Sequence, residues 1–149
     1  MFASILVGTD GSPTAQTAVR HAIDLARELG SRLLIVSAYE PVSANLRLRE
    51  EGLELPKDIQ WMMSPREDVL AMLEEAAGEA RSVGVTALET FARQGDAADA
   101  ILDVAEEQRC DLIVVGNRGM TGAKRFLLGS VPNKVSHHAP CSVLIVRTT

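Results

Sequence analysis

No aspartate or glutamate occurs after Asp111. All 20 acids lie in residues 1–111 beside 10 lysines and arginines, whereas the last 38 residues carry Arg118, Lys124, Arg125, Lys134 and Arg147 unopposed. A chain with a net charge of −5 therefore ends in a quarter charged +5. Aromatic residues are also scarce, five among 149. Nucleic-acid surfaces combine a broad basic face with exposed rings for base stacking, and five bases with five aromatics supply neither. A small anionic ligand suits this charge distribution better.

Cysteine is nearly absent. Cys110 and Cys141 form no CxxC pair and are too few for a zinc site or a disulfide framework, so both read as buried or half-buried thiols that stay reduced. Long hydrophobic runs are missing too. The opening MFASILVGTDGSP has no basic n-region, and its apolar segment is too short for a signal peptide or a membrane span. The expectation is a cytoplasmic protein without membrane association. Neither GxxxxGK[ST] nor GxGxxG occurs, which removes the two commonest nucleotide fingerprints.

What is present is an apolar share of 46%, enough for one core in a single domain over residues 1–149. Buried-strand runs alternate with helical periods. Residues 3–9 (ASILVGT) read as a first strand, followed by Ser12 as an N-cap, Pro13 at the first helical position and a helix that Gly30 closes. RLLIVSAY (32–39) is a second strand. Ser64 and Glu67 form a capping box for a helix ending near Gly84, and TALETFAR (86–93) is a third strand. Asp96 caps a helix to about Gln108, DLIVV (111–115) is a fourth strand, Ser130 caps a short helix, and SVLIVR (142–147) is a fifth strand. Near-continuous apolar strands separated by helices predict an α/β fold, an open doubly wound parallel sheet with helices on both faces. An order of 3-2-1-4-5 brings the carboxyl ends of the first and fourth strands side by side, where such sheets bind ligands.

Those two ends carry the unusual residues. The first strand runs into Gly8-Thr9-Asp10-Gly11-Ser12, and the fourth into Gly116-Asn117-Arg118-Gly119. Glycines let backbone N–H groups approach an anion, and the N-terminal end of the helix at Ser130 adds partial positive charge, so the stretch reads as a phosphate cradle. Asp10 has a second use open to it, capping the turn that follows. Lys124 and Arg125 read as solvated, and His137 and His138 as cations at a helix C-terminus rather than a metal pair.

The pattern Gly116-x2-Gly119-x9-Gly129-Ser130, with a first strand ending in Asp10-Gly11-Ser12, resembles the ATP-binding type of universal stress protein, over essentially the whole chain. The resemblance implies a Rossmann-like sheet ordered 3-2-1-4-5 and a homodimer that binds an adenine nucleotide. It places Asp10 at the ribose hydroxyls, the backbone of Ala38 at the adenine edge, and Gly116, Arg118, Gly119, Gly129, Ser130 and Val131 around the phosphates of ATP, with or without Mg²⁺, and it counts Thr9 and Val115 among the nucleotide-binding residues. It gives no catalytic residue and no metal ligand. Pro132 departs from the pattern by removing an N–H from the first helical turn, which leaves room for ADP, AMP or cyclic AMP. Three classes follow: a nucleotide-binding regulatory or stress-response protein, a slow ATPase or self-phosphorylating enzyme, and an interaction module with a vestigial pocket. The apolar fifth strand, as a sheet edge, is expected to join the dimer.

Overall fold

The computed structural model describes residues 1–39, 66–117 and 128–148. Strands β1 (Ser4–Gly8), β2 (Arg32–Tyr39), β3 (Leu88–Gln94), β4 (Leu112–Gly116) and β5 (Ser142–Val146) alternate with helices α1 (Pro13–Leu29), α2 (Arg66–Ser82), α3 (Ala97–Glu107) and α4 (Ser130–His138). The strands form one parallel sheet ordered β3-β2-β1-β4-β5, as the apolar runs predict. The segment containing Trp61, Met62, Met63 and the Ser64 half of the expected capping box lies outside the described residues.

Alternation along the strands divides the core in two. Ile5, Val7, Leu33, Ile35, Leu112 and Val114 face α1 and α2, which contribute Ala18, Ala22, Val69 and Leu73. Leu6, Leu34, Val36, Ile113 and Val115 face α3 and α4, which contribute Ala98, Ile101, Val104 and Val135. Burial on both faces makes the inner strands β1, β2 and β4 near-continuous apolar runs, while the outer strand β3 keeps polar residues. The winding reverses between β1 and β4. Gly8 belongs to this packing, because a Cβ there would lie 2.8 Å from Ile101 Cγ1.

Local signals set most boundaries. Ser12 caps α1 by accepting the Ala15 N–H at 3.2 Å, and Gly30 ends the helix in the left-handed region at φ 65°. Asp96 caps α3 through the Asp99 N–H. Strand boundaries move by one or two residues: β1 spans Ser4–Gly8 rather than 3–9, and β5 ends at Val146 rather than 147. β3 starts at Leu88 rather than residue 86, because its ladder with β2 opens at Leu33↔Leu88. β4 starts at Leu112 and ends at Gly116, which pairs with Val146.

Asp111, expected inside that strand, stands before it as a clamp. Its carboxylate accepts the Ala3 N–H at 2.9 Å and the Ser4 N–H at 3.0 Å, while its own N–H donates to Ser4 C=O at 3.0 Å. At the same amino end of the sheet, Arg32 donates to Ser4 Oγ at 3.1 Å and to Gln108 C=O at 2.9 Å, and Ser4 Oγ donates to the Cys110 thiol at 3.8 Å. Cys110 is buried and Cys141 half-buried, so both thiols lie at the amino ends of the adjacent strands β4 and β5. Burial pushes both thiols up from their ordinary value.

Burial pushes the Asp111 carboxyl up, but the Ala3 and Ser4 N–H donors outweigh it and hold the group below the usual carboxylate range. A depressed folded value contributes stability above the unfolded value, and that contribution disappears as pH falls through the folded one. Asp111→Asn is therefore expected to lower the melting temperature at neutral pH. The gap from wild type should narrow as pH drops below 4. Thermal denaturation of both proteins across pH 2.5–7 checks this; a gap independent of pH would assign the loss to something other than the carboxylate charge.

Candidate nucleotide site at the carboxyl ends of β1 and β4

The turn after β1 is held by its own side chains. Thr9 N–H donates to Val36 C=O at 3.0 Å, continuing the β1–β2 ladder, and Thr9 Oγ1 accepts the Gly11 N–H at 3.1 Å. Asp10 Oδ1 accepts the Ser12 N–H at 2.8 Å, an Asx turn that leads into the α1 cap. The capping use of Asp10 is thus realised with one oxygen. Oδ2 has no hydrogen-bond partner among the described residues. Gly11 sits at φ 80°, where a side chain is strained.

Asn117 organises the end of β4. Its N–H donates to Val146 C=O at 2.8 Å, its side-chain Oδ1 accepts both the N–H (2.8 Å) and the hydroxyl (2.9 Å) of Thr148, and its C=O accepts the Gly129 N–H at 2.9 Å. One residue thereby joins the ends of β4 and β5 to the start of α4. Because β1 and β4 are adjacent and parallel, Asp10 and Asn117 both follow the carboxyl ends of neighbouring strands. The ends of the two strands and the N-terminus of α4 so occupy one edge of the sheet.

The start of α4 differs from the sequence expectation. Ser130 is not the N-cap: Gly129 is, with φ −65° and ψ 168°, and its C=O accepts the Asn133 N–H at 3.1 Å. Counted from Gly129, the third helical residue is proline and offers no N–H to a cap; counted from Ser130, the Asn133 N–H that its hydroxyl would accept is already bonded to Gly129 C=O. No side chain caps this helix. Since the Gly129 N–H goes to Asn117 and Pro132 has none, the N–H groups of Ser130 and Val131 remain, and neither meets an acceptor among the described residues. Gly129 does not need glycine for its dihedrals.

Of the other expected contacts, Ala38 lies near the end of β2, half-buried and paired with Arg93, and Gly116 closes β4. The Val115 side chain is 3% exposed in the α3/α4 core, leaving only its backbone for a ligand. Arg118 and Gly119 lie outside the described residues, as do Lys124 and Arg125. His137 and His138 end α4 with ring centroids 6.5 Å apart. Beside the cradle, Lys134 bonds Asp99 at 2.8 Å and approaches Asp96 at 3.5 Å, tying α4 to the first turn of α3; the Asp99 hydrogen bond raises its pKa from the ordinary value. Asn117 was legible only as a turn-forming residue type, and Met72, whose sulfur lies against Gly11, had no signal in the sequence.

The sequence model of the universal stress protein family matches residues 1–147. The chain belongs to this family. A universal stress protein of Thermus aquaticus is 38% identical over 149 residues, covering 99% of this chain and all of the relative. Universal stress protein Rv1636 of Mycobacterium tuberculosis is 34% identical over 148 residues, covering 99% and 98%. A universal stress protein solved in complex with cAMP superposes with a TM-score of 0.73 at 32% identity, covering 99% of this chain and 98% of that one.

Asn117→Ala removes the acceptor of two Thr148 bonds while leaving its backbone bonds to Val146 and Gly129. The expected loss is about 1–3 kcal/mol in chemical denaturation. An unchanged midpoint would remove Asn117 Oδ1 as the tie between β4 and the chain after β5.

Proposed function

We propose that this universal stress protein is a regulatory or stress-response protein that binds an adenine nucleotide across the carboxyl ends of β1 and β4. The observation that carries the reading is the bond from Gly129 N–H to Asn117 C=O, which holds the uncapped start of α4 beside the end of β4. Two N–H donors at a helix N-terminus attract an anion by hydrogen bonding and by the helix dipole. The sequence after Asp111 contains no acid to oppose it. Asp10 Oδ2 at the end of β1 is the group for the ribose hydroxyls, the backbone of Ala38 serves the adenine edge, and Arg118 and Gly119 complete the phosphate contacts.

The donor set fits an adenine nucleotide and grades the phosphates. Ser130 and Val131 together suit one phosphate group, and Pro132 withholds the third donor that a longer chain would use. ATP binding, with or without Mg²⁺, therefore leans on Arg118. Cyclic AMP, AMP or ADP is the second reading, favoured by Pro132 and by the relative solved with cAMP. Phosphoryl transfer needs groups to hold the metal and orient the nucleophile. We assign no residue to those tasks, and any hydrolysis is slow.

The same reading makes the chain a cytoplasmic single-domain protein and a homodimer through β5. The two sheet edges differ. β3 carries Glu89 and Arg93, the latter paired with Glu107 at 2.6 Å, whereas Ser142–Val146 has no charge and exposes Leu144 at 38%. An uncharged apolar edge pairs with another chain. Among the described residues no helix is long and apolar enough to cross a membrane.

An affinity grid of three variants against ATP, ADP and AMP tests the site. Valine fits the extended dihedrals of Gly129, so Gly129→Val reports proximity of the phosphate rather than strain, and ATP binding should weaken at least roughly tenfold. For Arg118→Ala the loss should shrink from ATP to AMP, because a side-chain charge matters most to the longest phosphate chain. Asp10→Ala should weaken all three about equally. Unaltered ATP affinity in folded Gly129→Val protein would refute the cradle.

The assembly is tested by sedimentation at micromolar concentration. Wild type should be a dimer and Leu144→Lys a monomer. A monomeric wild type, or a dimer that survives the lysine, would exclude β5 as the joint.

A further inference from the structure

The Asp10 turn is under a constraint that does not come from the turn itself. A Cβ on Gly11 would lie 2.5 Å from Met72 Sδ and 3.6 Å from Met72 Cγ, so the thioether rests on the backbone between Asp10 and Ser12. Met72 belongs to α2, whose buried stripe of Val69, Leu73, Ala77 and Ala80 fixes the helix against the sheet. Met72 lies on the flank of that stripe, half-buried, packed on the α1/α2-side core. It therefore transmits the position of a firmly anchored helix to a turn containing the most flexible residue type. An unbranched thioether is well shaped to fill the gap over a bare Cα.

We infer that Met72 is a positioning residue for Asp10, holding the turn through Gly11 so that Oδ1 stays on the Ser12 N–H and Oδ2 is presented to the ribose of the nucleotide. The inference rests on the nucleotide reading above and deepens it by making α2 part of the site. Without the sulfur over Gly11 the turn regains backbone freedom, the Ser12 bond opens more often, and the carboxylate must be reordered when the ribose binds. Contacts at the phosphate end, made by α4 on the opposite face of the sheet, are left alone. The defect is therefore specific to the sugar.

The test uses the full chain and two readouts, one of which needs no ligand. Amide hydrogen exchange at Ser12 in the nucleotide-free protein should accelerate at least about fivefold in Met72→Ala, the loss expected from weakening one hydrogen bond, and return towards wild type in Met72→Leu. In titrations, Met72→Ala should lose affinity for AMP more than for 2′-deoxy-AMP, narrowing the ratio between them as Asp10→Ala does, and Met72→Leu should restore it. General destabilisation by the alanine would weaken both nucleotides alike and leave their ratio unchanged. Wild-type Ser12 exchange in Met72→Ala overturns the inference, and so does an unchanged ratio. If wild-type protein binds no adenine nucleotide, the underlying reading falls and takes the role in ribose recognition with it. Nucleotide binding that is sensitive to Asp10→Ala but indifferent to Met72→Ala removes this inference alone.

Discussion

Strand β1 has neighbours on every side, and the remaining architecture follows from keeping it there. Ile5, Leu6 and Val7 are fully buried, with β2 and β4 bonded to the two edges and helices covering both faces. A strand so enclosed has no room for a polar side chain, which is why its run is apolar without alternation. It also has no free edge on which successive crossovers could continue in one direction. The chain winds outward through β2 and β3, then returns to the other side of β1 for β4 and β5. The reversal separates the helices that follow β1 and β4, and the gap between them is where polar chemistry collects.

At that gap the backbone does much of the work that side chains do elsewhere. Asn117 spends its carbonyl on Gly129 and its side chain on Thr148, which fixes the direction of α4. The helix then offers N–H groups that Pro132 has reduced in number but not redirected. Across the gap the Asx turn at Asp10 commits one carboxylate oxygen to structure and keeps the other unbonded among the described residues. Both halves share a logic: one polar group is used to hold its neighbour in place. Membership of the universal stress protein family accords with this arrangement, and the relative solved with cAMP shares the fold over nearly the whole chain.

The strands, their order and the starts of α1 and α3 were legible because each rests on a local signal, while the Ser64 half of the α2 capping box lies outside the described residues. β2 was readable to the residue, since Arg32 and Tyr39 bound a continuous apolar run. Ser12-Pro13 and Asp96 cap as their residue types suggest. The start of α4 was misread by one position because serine is a strong cap on propensity, whereas the Asn133 N–H that it would have accepted bonds Gly129 C=O and begins the helix one residue earlier. Contacts between distant segments left no trace in the sequence. Asp111 looked like the first residue of a strand but clamps Ala3 and Ser4, and Met72 looked like one more apolar residue of a helix. Pattern reading sees periods and caps; it does not see which surface of one element meets which loop of another.

The Asp111 clamp also bears on how the chain reaches its native state during synthesis. Residues 3 and 4 leave the ribosome well before the carboxylate that accepts their N–H groups, which is 107–108 residues further along the chain. At about 5–20 residues per second, the edge of β1 destined for β4 stays unpaired for several seconds at least. Contacts of such sequence separation carry a large loop-closure cost and form late. During that interval the nascent chain holds an apolar strand with one open edge, the kind of surface that chaperones recognise. The last, acid-free quarter of the sequence supplies both the strand that closes this edge and the helix start beside it, so completing the sheet and setting the start of α4 beside β4 are one event.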